Sequence, residues 1–340
     1  MKTAFIFPGQ GAQAVGMGKD LYEAFGGAKV VFDIAEEVTK LPLKKLCFEG
    51  PEDELNRTDV AQPAIFTMSA ALLVCMENLL GPDKVAAIRP AFMAGLSLGE
   101  YTALYAADMI DFQDALRLVT LRGAAMQKAA VAVPSGMVAI MGLDEAKVTE
   151  LCQAAAQGQP LVPANFNAAG QVVVSGAAEA CQRAEAMAKD FGASGAMALK
   201  VAGAFHSPIM APAAEELRAA LDSVVLRAPR GLAPASDAAA MARPENGQAF
   251  AAGAVEVVSN VEGQPYGCAC CVKELLLRQL TGAVRWQQSM EYLMAQGVEK
   301  FYEIGPGRVL AGLMRRINRK AEVVSVNGRD TLEKFIASIA

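Results

Sequence analysis

Gly95-Leu96-Ser97-Leu98-Gly99 sets a serine between two glycines at the spacing of a nucleophile elbow, and the 340-residue chain holds a single histidine, His206. If Ser97 is a nucleophile, its imidazole base is settled by elimination. The pattern describes a sharp strand-to-helix turn in which side chains at the glycine positions would collide with the turned backbone. A hydroxyl there lies at a helix N-terminus, where free N–H groups and the positive dipole end favour developing negative charge. The flanks agree: Ala91-Phe92-Met93-Ala94 is a short apolar run released by Pro90, and Leu98 to Ala107 is rich in helix formers. The same pentapeptide also arises by chance in chains rich in glycine and serine, and a lone histidine is often only a satisfied core or surface residue. The setting of His206, Gly203-Ala204-Phe205-His206-Ser207-Pro208, is a loop of the kind that holds a functional group on a rigid scaffold.

A third group is out of place for a purely structural role. In the helix expected over Phe112 to Ala130, the residues Ala115, Leu118, Val119 and Met126 project within about 60° of Arg122. That centres the guanidinium on the apolar stripe, whereas Arg117 falls on the far side. An inward guanidinium is costly unless an anion meets it. The anion is either an internal Asp or Glu or a substrate carboxylate held by the planar fork.

The elements that must position these groups read as α/β. Thr3 to Phe7 is a buried strand emptying into the loop Pro8-Gly9-Gln10-Gly11-Ala12-Gln13, with helices over Asp20 to Val38 and Gln62 to Leu80, and a strand at Ala91 to Ala94 delivering Ser97. From Gly136 the texture changes. Strands at Met137–Gly142, Leu161–Asn165, Gln171–Ser175 and Ala196–Val201 alternate with helices over Asp144–Ala156 and Ala177–Phe191, a βαββαβ order that defines a ferredoxin-like unit. Residues 131–201 are thus expected to form a small domain inserted into a large one made of 1–130 and 202–340, with the Ser97 and His206 site in the cleft between them. Beyond it come a helix over Pro212–Val224, a strand at Val255–Ser259, a helix over Val272–Leu280, a strand at Lys300–Ile304, and a last helix running from Gly305-Pro306-Gly307 to Arg319. Arg315, Arg316, Arg319 and Lys320 at that helix's end read as dipole complements on a solvated face.

Composition excludes some functions. With 53% hydrophobic and 20% charged residues the chain is globular, and a formal charge of −5 argues against a nucleic-acid binder. No uninterrupted apolar run reaches membrane-spanning length and Met1 to Pro8 is too short for a signal-peptide core, so a soluble, cytoplasmic protein and a monomer are expected. Of seven cysteines, Cys47, Cys75, Cys152 and Cys181 read as buried hydrophobes. Cys268-Ala269-Cys270-Cys271 matches no zinc spacing and reads as a loop or helix start, so no metal is expected.

Taken in order, Pro8-Gly9-Gln10-Gly11-Ala12-Gln13, Gly95-Leu96-Ser97-Leu98-Gly99-Glu100-Tyr101, Leu121-Arg122-Gly123, Asn165-Phe166-Asn167, Gly203-Ala204-Phe205-His206-Ser207 and Glu303-Ile304-Gly305-Pro306-Gly307 resemble the malonyl-CoA:acyl-carrier-protein transacylases over nearly the full chain. The resemblance implies an α/β-hydrolase-like large domain with an inserted ferredoxin-like small domain. It also implies ping-pong transfer of a malonyl group from malonyl-CoA to acyl carrier protein through a malonyl-serine ester, without a cofactor. Ser97 would be the nucleophile, His206 the base, the Gln10 and Leu98 N–H groups the oxyanion hole, and Arg122 the partner of the malonyl carboxylate. Gln279 would orient the histidine through its carbonyl, Asn165 and Asn167 would lie near the CoA or pantetheine arm, and Phe205 would crowd branched acyl groups. Leu96 stands where the family often has histidine, and about Gly231 to Gly253 reads as an insertion. The rival readings are a serine esterase or thioesterase, which would release acid to water, and a non-catalytic docking subunit of the same fold.

Overall fold

Lys2–Phe7 (β1) is a run of bulky apolar residues buried from Thr3 onward, which fits the centre of a sheet covered on both faces. The computed structural model describes residues 1–227, 250 and 255–339. β1 pairs in parallel with Phe92–Gly95 (β2) on one side and Val298–Ile304 (β8) on the other. Glu256–Val258 (β7) and Glu322–Val326 (β9) complete a five-stranded parallel sheet in the order β7-β2-β1-β8-β9. Its strands are short and rich in Phe, Val and Ile, and alternate side chains enter two apolar clusters, one on each face.

The helices that cover the sheet account for the apolar composition. Thr58–Ala87 (α5) is long and apolar enough, with a window of mean hydropathy 1.6, to cross a membrane, although no uninterrupted apolar run in the sequence reaches that length. Because 72% of that window is buried inside the protein, it serves here as a core helix. Phe112–Ala132 (α7) packs along α5, and Gly99–Ala106 (α6) follows β2 directly.

A second sheet lies between α7 and the histidine loop. Ser135–Met141 (β3), Leu161–Ala168 (β4), Gln171–Ala177 (β5) and Gly195–Ala198 (β6) are antiparallel in the order β4-β5-β3-β6. Glu145–Ala156 (α8) and Ala178–Met187 (α9) pack on it around a separate apolar cluster. Asp144 caps α8 as expected, its carboxylate accepting the Lys147 N–H at 2.9 Å.

Several elements differ from the sequence expectation. The single helix over Asp20–Val38 is two, Lys19–Ala24 and Gly26–Thr39, because Phe25 adopts an extended conformation between them. The chain does not end its regular structure near Arg319: a helix over Val309–Ile317 is followed by β9 and by a helix over Arg329–Ile339. A helix over Trp286–Ala295, absent from the sequence reading, precedes β8. The expected insertion at 231–253 lies outside the described residues apart from Phe250, whose ring packs edge-on against Phe5 at 5.1 Å.

Candidate active site

Parallel pairing decides which loops meet. Phe7 pairs with Gly95 and Ala94 with Val258, so the C-terminal ends of β1, β2 and β7 lie side by side. These ends deliver Gln10, Ser97 and Asn260 to one rim, where open α/β sheets form their binding crevices. Ser97 itself sits at φ 51°, a left-handed conformation that a non-glycine residue keeps only when its surroundings enforce it. Both neighbouring glycines are sterically required. A Cβ on Gly95 would lie 1.9 Å from the Gly99 carbonyl, and one on Gly99 would lie 2.1 Å from the Phe7 oxygen.

His206 completes the pair. Its Nε2 lies 2.8 Å from Ser97 Oγ, and Nδ1 lies 2.6 Å from the Gln279 carbonyl oxygen. With the carbonyl accepting the Nδ1 proton, Nε2 is left with its lone pair toward the hydroxyl. His206 also has positive φ, 57°, and its loop is pinned from both sides. Ser175 on β5 donates to the Phe205 carbonyl at 2.6 Å, and Ser207 donates to the Ala204 carbonyl at 2.7 Å.

Arg122 is 1% exposed and points at the same atoms. It donates to Ser97 Oγ at 3.0 Å, Gln62 Oε1 at 2.7 Å and Gln279 Oε1 at 2.9 Å, all neutral oxygens. The Tyr101 ring lies under the guanidinium at 5.4 Å, and its Nε has no hydrogen-bond partner. Among the described residues no carboxylate forms an ion pair with it. The internal acid nearest in effect is buried Glu100, which acts on the Arg122 charge through space and is linked to it by Gln279 rather than by a direct ion pair.

Ser97, His206 and Arg122 line a cavity of about 530 Å³, as do Gln10, Leu98, Phe205, Asn165 and Asn167. Asn165 and Asn167 come from β4, so the small sheet forms one wall of the site and the large sheet's rim forms its floor. Gln279 is fully buried behind the dyad, on the helix Ala269–Thr281 (α11). All nine residues singled out from the sequence thus fall in or directly behind one cavity.

A family model described as "Acyl transferase domain" matches residues 4–327. The chain is 40% identical over 339 residues to the malonyl CoA-acyl carrier protein transacylase of Bacillus subtilis, which covers 99% of this chain and 97% of that relative. The chain belongs to the malonyl CoA-acyl carrier protein transacylase family. Solved members of the transacylase family share its fold. The acyl carrier protein S-malonyltransferase of Vibrio cholerae superposes with a TM-score of 0.85 at 38% identity, covering 98% of this chain and 100% of that one. A malonyl-transacylase solved in complex with a type II PKS acyl-carrier protein gives 0.86 at 37% identity, covering 99% and 100%.

Within this transacylase-family site, three supporting residues carried no assigned role in the sequence. Asn260 accepts the Ser97 N–H at 2.6 Å and donates to the Gly95 carbonyl at 2.7 Å, clamping the elbow. Glu100, wholly buried, accepts from Tyr266 Oη, Gln279 Nε2 and the Asn260 N–H. It thereby holds both the elbow's clamp and the residue that orients His206. Gln62 fixes one arm of Arg122. Glu100 lies inside the quoted elbow motif, but Asn260 and Gln62 had no motif to mark them; only long-range packing brings them in.

Burial dominates the electrostatics. It pushes the Glu100 carboxyl up to about 7, against the hydrogen bonds from Tyr266, Gln279 and Asn260 that favour its anion. His206 is driven down to about 4, first by burial and then by the Arg122 charge. A neutral imidazole at pH 7 is the form that can accept a proton from serine. Because His206 is the sole histidine, its titration is directly readable. In the ligand-free protein the single imidazole resonance should titrate near pH 4, and Arg122→Gln should raise that midpoint by removing the neighbouring positive charge. An NMR midpoint remaining between 6 and 7 would contradict this account of the base.

Proposed function

We propose that this protein transfers a malonyl group from malonyl-CoA to the phosphopantetheine thiol of an acyl carrier protein by a ping-pong route. The single observation that carries the reading is Arg122, a buried guanidinium 3.0 Å from the Ser97 hydroxyl that no carboxylate among the described residues contacts directly. A malonyl ester on Ser97 places a carboxylate one methylene beyond the ester carbonyl, so a cation this close to the nucleophile suits a three-carbon diacid. Longer diacids would overshoot it.

In the first half-reaction Ser97 Oγ attacks the thioester carbonyl while His206 Nε2 takes the hydroxyl proton. The tetrahedral oxygen is received by the N–H groups of Gln10 and Leu98. Leu98 precedes α6, and the first N–H groups of a helix have no intrahelical acceptor. Collapse expels the CoA sulfur, which takes the proton from His206 and leaves the malonyl-serine ester. In the second half-reaction the carrier thiol gives its proton to His206, attacks the ester carbonyl, and returns Ser97 to its free hydroxyl. The chemistry needs no cofactor. Gln279, through its carbonyl, keeps the imidazole in the tautomer that both halves require.

In this reading the large sheet and its helices form an α/β-hydrolase-like domain, residues 1–130 and 202–340, and residues 131–201 form a ferredoxin-like small domain. Asn165 and Asn167 on β4 line the path of the pantetheine arm. Phe205, beside the base, disfavours branched acyl groups by about 1–3 kcal/mol per methyl, which makes that selectivity partial.

Intact mass spectrometry after addition of malonyl-CoA should show one malonyl group on the chain, and addition of the carrier protein should move that group to the carrier thiol. Hydrolysis of malonyl-CoA at the same rate with and without carrier, with no acylated carrier formed, would instead establish the esterase or thioesterase reading.

A further inference from the structure

The cysteines that the acyl-transfer chemistry leaves unused converge at the start of α11. Cys268 is the N-cap of that helix, and its Sγ accepts the Cys271 N–H at 3.1 Å. The backbone at this helix start gathers three cysteine sulfurs around one point. All three lie within 4.8 Å of one another, and Cys270 and Cys271 Sγ are 4.0 Å apart.

From this geometry we propose that Cys268, Cys270 and Cys271 form a binding site for a thiophilic d10 cation, Zn(II) or Cu(I), held by three thiolates. A metal–sulfur distance of about 2.3 Å puts sulfurs on a common ion about 3.8–4.0 Å apart, the separation already found between Cys270 and Cys271. For the set to close on one ion, the Cys268 side chain must rotate until its sulfur stands at that same separation from both neighbours. The helix N-terminus favours the thiolate form, and thiolates select such soft ions over harder ones. The other four cysteines differ in kind: Cys47, Cys75, Cys152 and Cys181 are buried, and burial pushes the thiols of Cys47 and Cys152 up to about 12. Cys270 is exposed and borders a cleft with Asp222 and Glu274, so a fourth coordination position on the ion would face solvent. On binding, each thiol releases its proton to solvent as its sulfur bonds the ion, so affinity rises with pH. The spacing escapes sequence recognition because the usual zinc patterns draw their ligands from two separated pairs, whereas here one helix start supplies all three.

α11 runs from this triad to Gln279, about 12 Å from Cys271 along the helix axis. An ion at its N-terminus therefore anchors the helix that orients His206, and the melting temperature of the holo form should exceed that of the apo form.

The test is titration of the full chain, kept reduced with a phosphine under anaerobic conditions, with Zn(II) and separately with Cu(I). Native mass spectrometry should show one ion per chain with loss of thiol protons, and ultraviolet thiolate-to-metal absorption should saturate at one equivalent. Cys270→Ser, at an exposed position, should weaken binding at least tenfold, and Cys268→Ser should weaken it further, while both variants keep malonyl transfer as evidence of folding. Stoichiometric binding of one ion only identifies that ion. Absence of binding by either ion, or affinity unchanged in Cys270→Ser, overturns the site. A reduced chain that holds no ion but forms one disulfide with a small disulfide oxidant would assign the triad to thiol pairing instead.

Discussion

Ser97→Ala is expected to abolish the malonyl adduct and to lower transfer to carrier protein by about 10⁴–10⁶-fold, the scale on which nucleophile removal acts in serine enzymes. The structure makes the variant clean. Alanine meets the same positive-φ cost as serine at this position, and the elbow is fixed by Gly95, Gly99 and Asn260 rather than by the hydroxyl. Folding and substrate binding should survive. His206→Ala should cost a similar factor, because a hydroxyl without its base is a poor nucleophile. The two losses should not add, so Ser97→Ala combined with His206→Ala should be about as slow as either alone. Adduct mass and single-turnover rates give both measurements; a malonyl group persisting on Ser97→Ala would place the nucleophile elsewhere.

Arg122→Ala should erase the preference for malonyl over acetyl groups. Truncating one partner of a buried charge pair costs about 2–5 kcal/mol, on the order of 10²–10³-fold in the malonyl rate, whereas an acetyl group never uses the guanidinium. The readout is the ratio of kcat/KM for malonyl-CoA and acetyl-CoA. That ratio separates recognition from general damage, since Arg122 also donates to Gln279 and its loss disturbs the support of His206. Such disturbance lowers both rates together. Arg122→Lys should lie between, because lysine keeps the charge but loses the fork that spans Gln62, Ser97 and Gln279. An unchanged ratio in Arg122→Ala would remove the carboxylate from the account.

Much of this site was legible because its parts are local. The glycines around Ser97 report a turn too tight for side chains, and a Cβ added at either would come within 2.1 Å of backbone atoms. The apolar stripe around Arg122 reported its burial, since helical projection depends on neighbours a few residues away. Asn260 and Gln62 were not legible. An asparagine after a short strand and a glutamine in an apolar helix have no local reason to be functional until β7 is laid beside β2 and α5 beside α7. Two of the helices missed or divided in the sequence reading have a similar cause. Phe25 breaks a continuous helical pattern by turning extended, and Trp286–Ala295 is a short helix whose buried Trp286, Met290 and Leu293 pack on the sheet.

The sequence by itself determined the chemistry on offer: one serine in an elbow, one histidine, one inward arginine, and an ordered set of motifs carrying a family resemblance. Which groups touch was decided by the tertiary structure. Ser97 and His206 are 109 residues apart, and His206 and Gln279 are 73 apart, yet each pair is within hydrogen-bond distance. Parallel pairing places Ser97 on the sheet's rim, while the small antiparallel sheet, through Ser175, holds the His206 loop and the helix Ala269–Thr281 brings Gln279 behind it. The absence, among the described residues, of a carboxylate in direct contact with Arg122 belongs to the same level. Helical periodicity shows that a charge faces inward, but only packing shows that what it faces is a cavity and neutral oxygens.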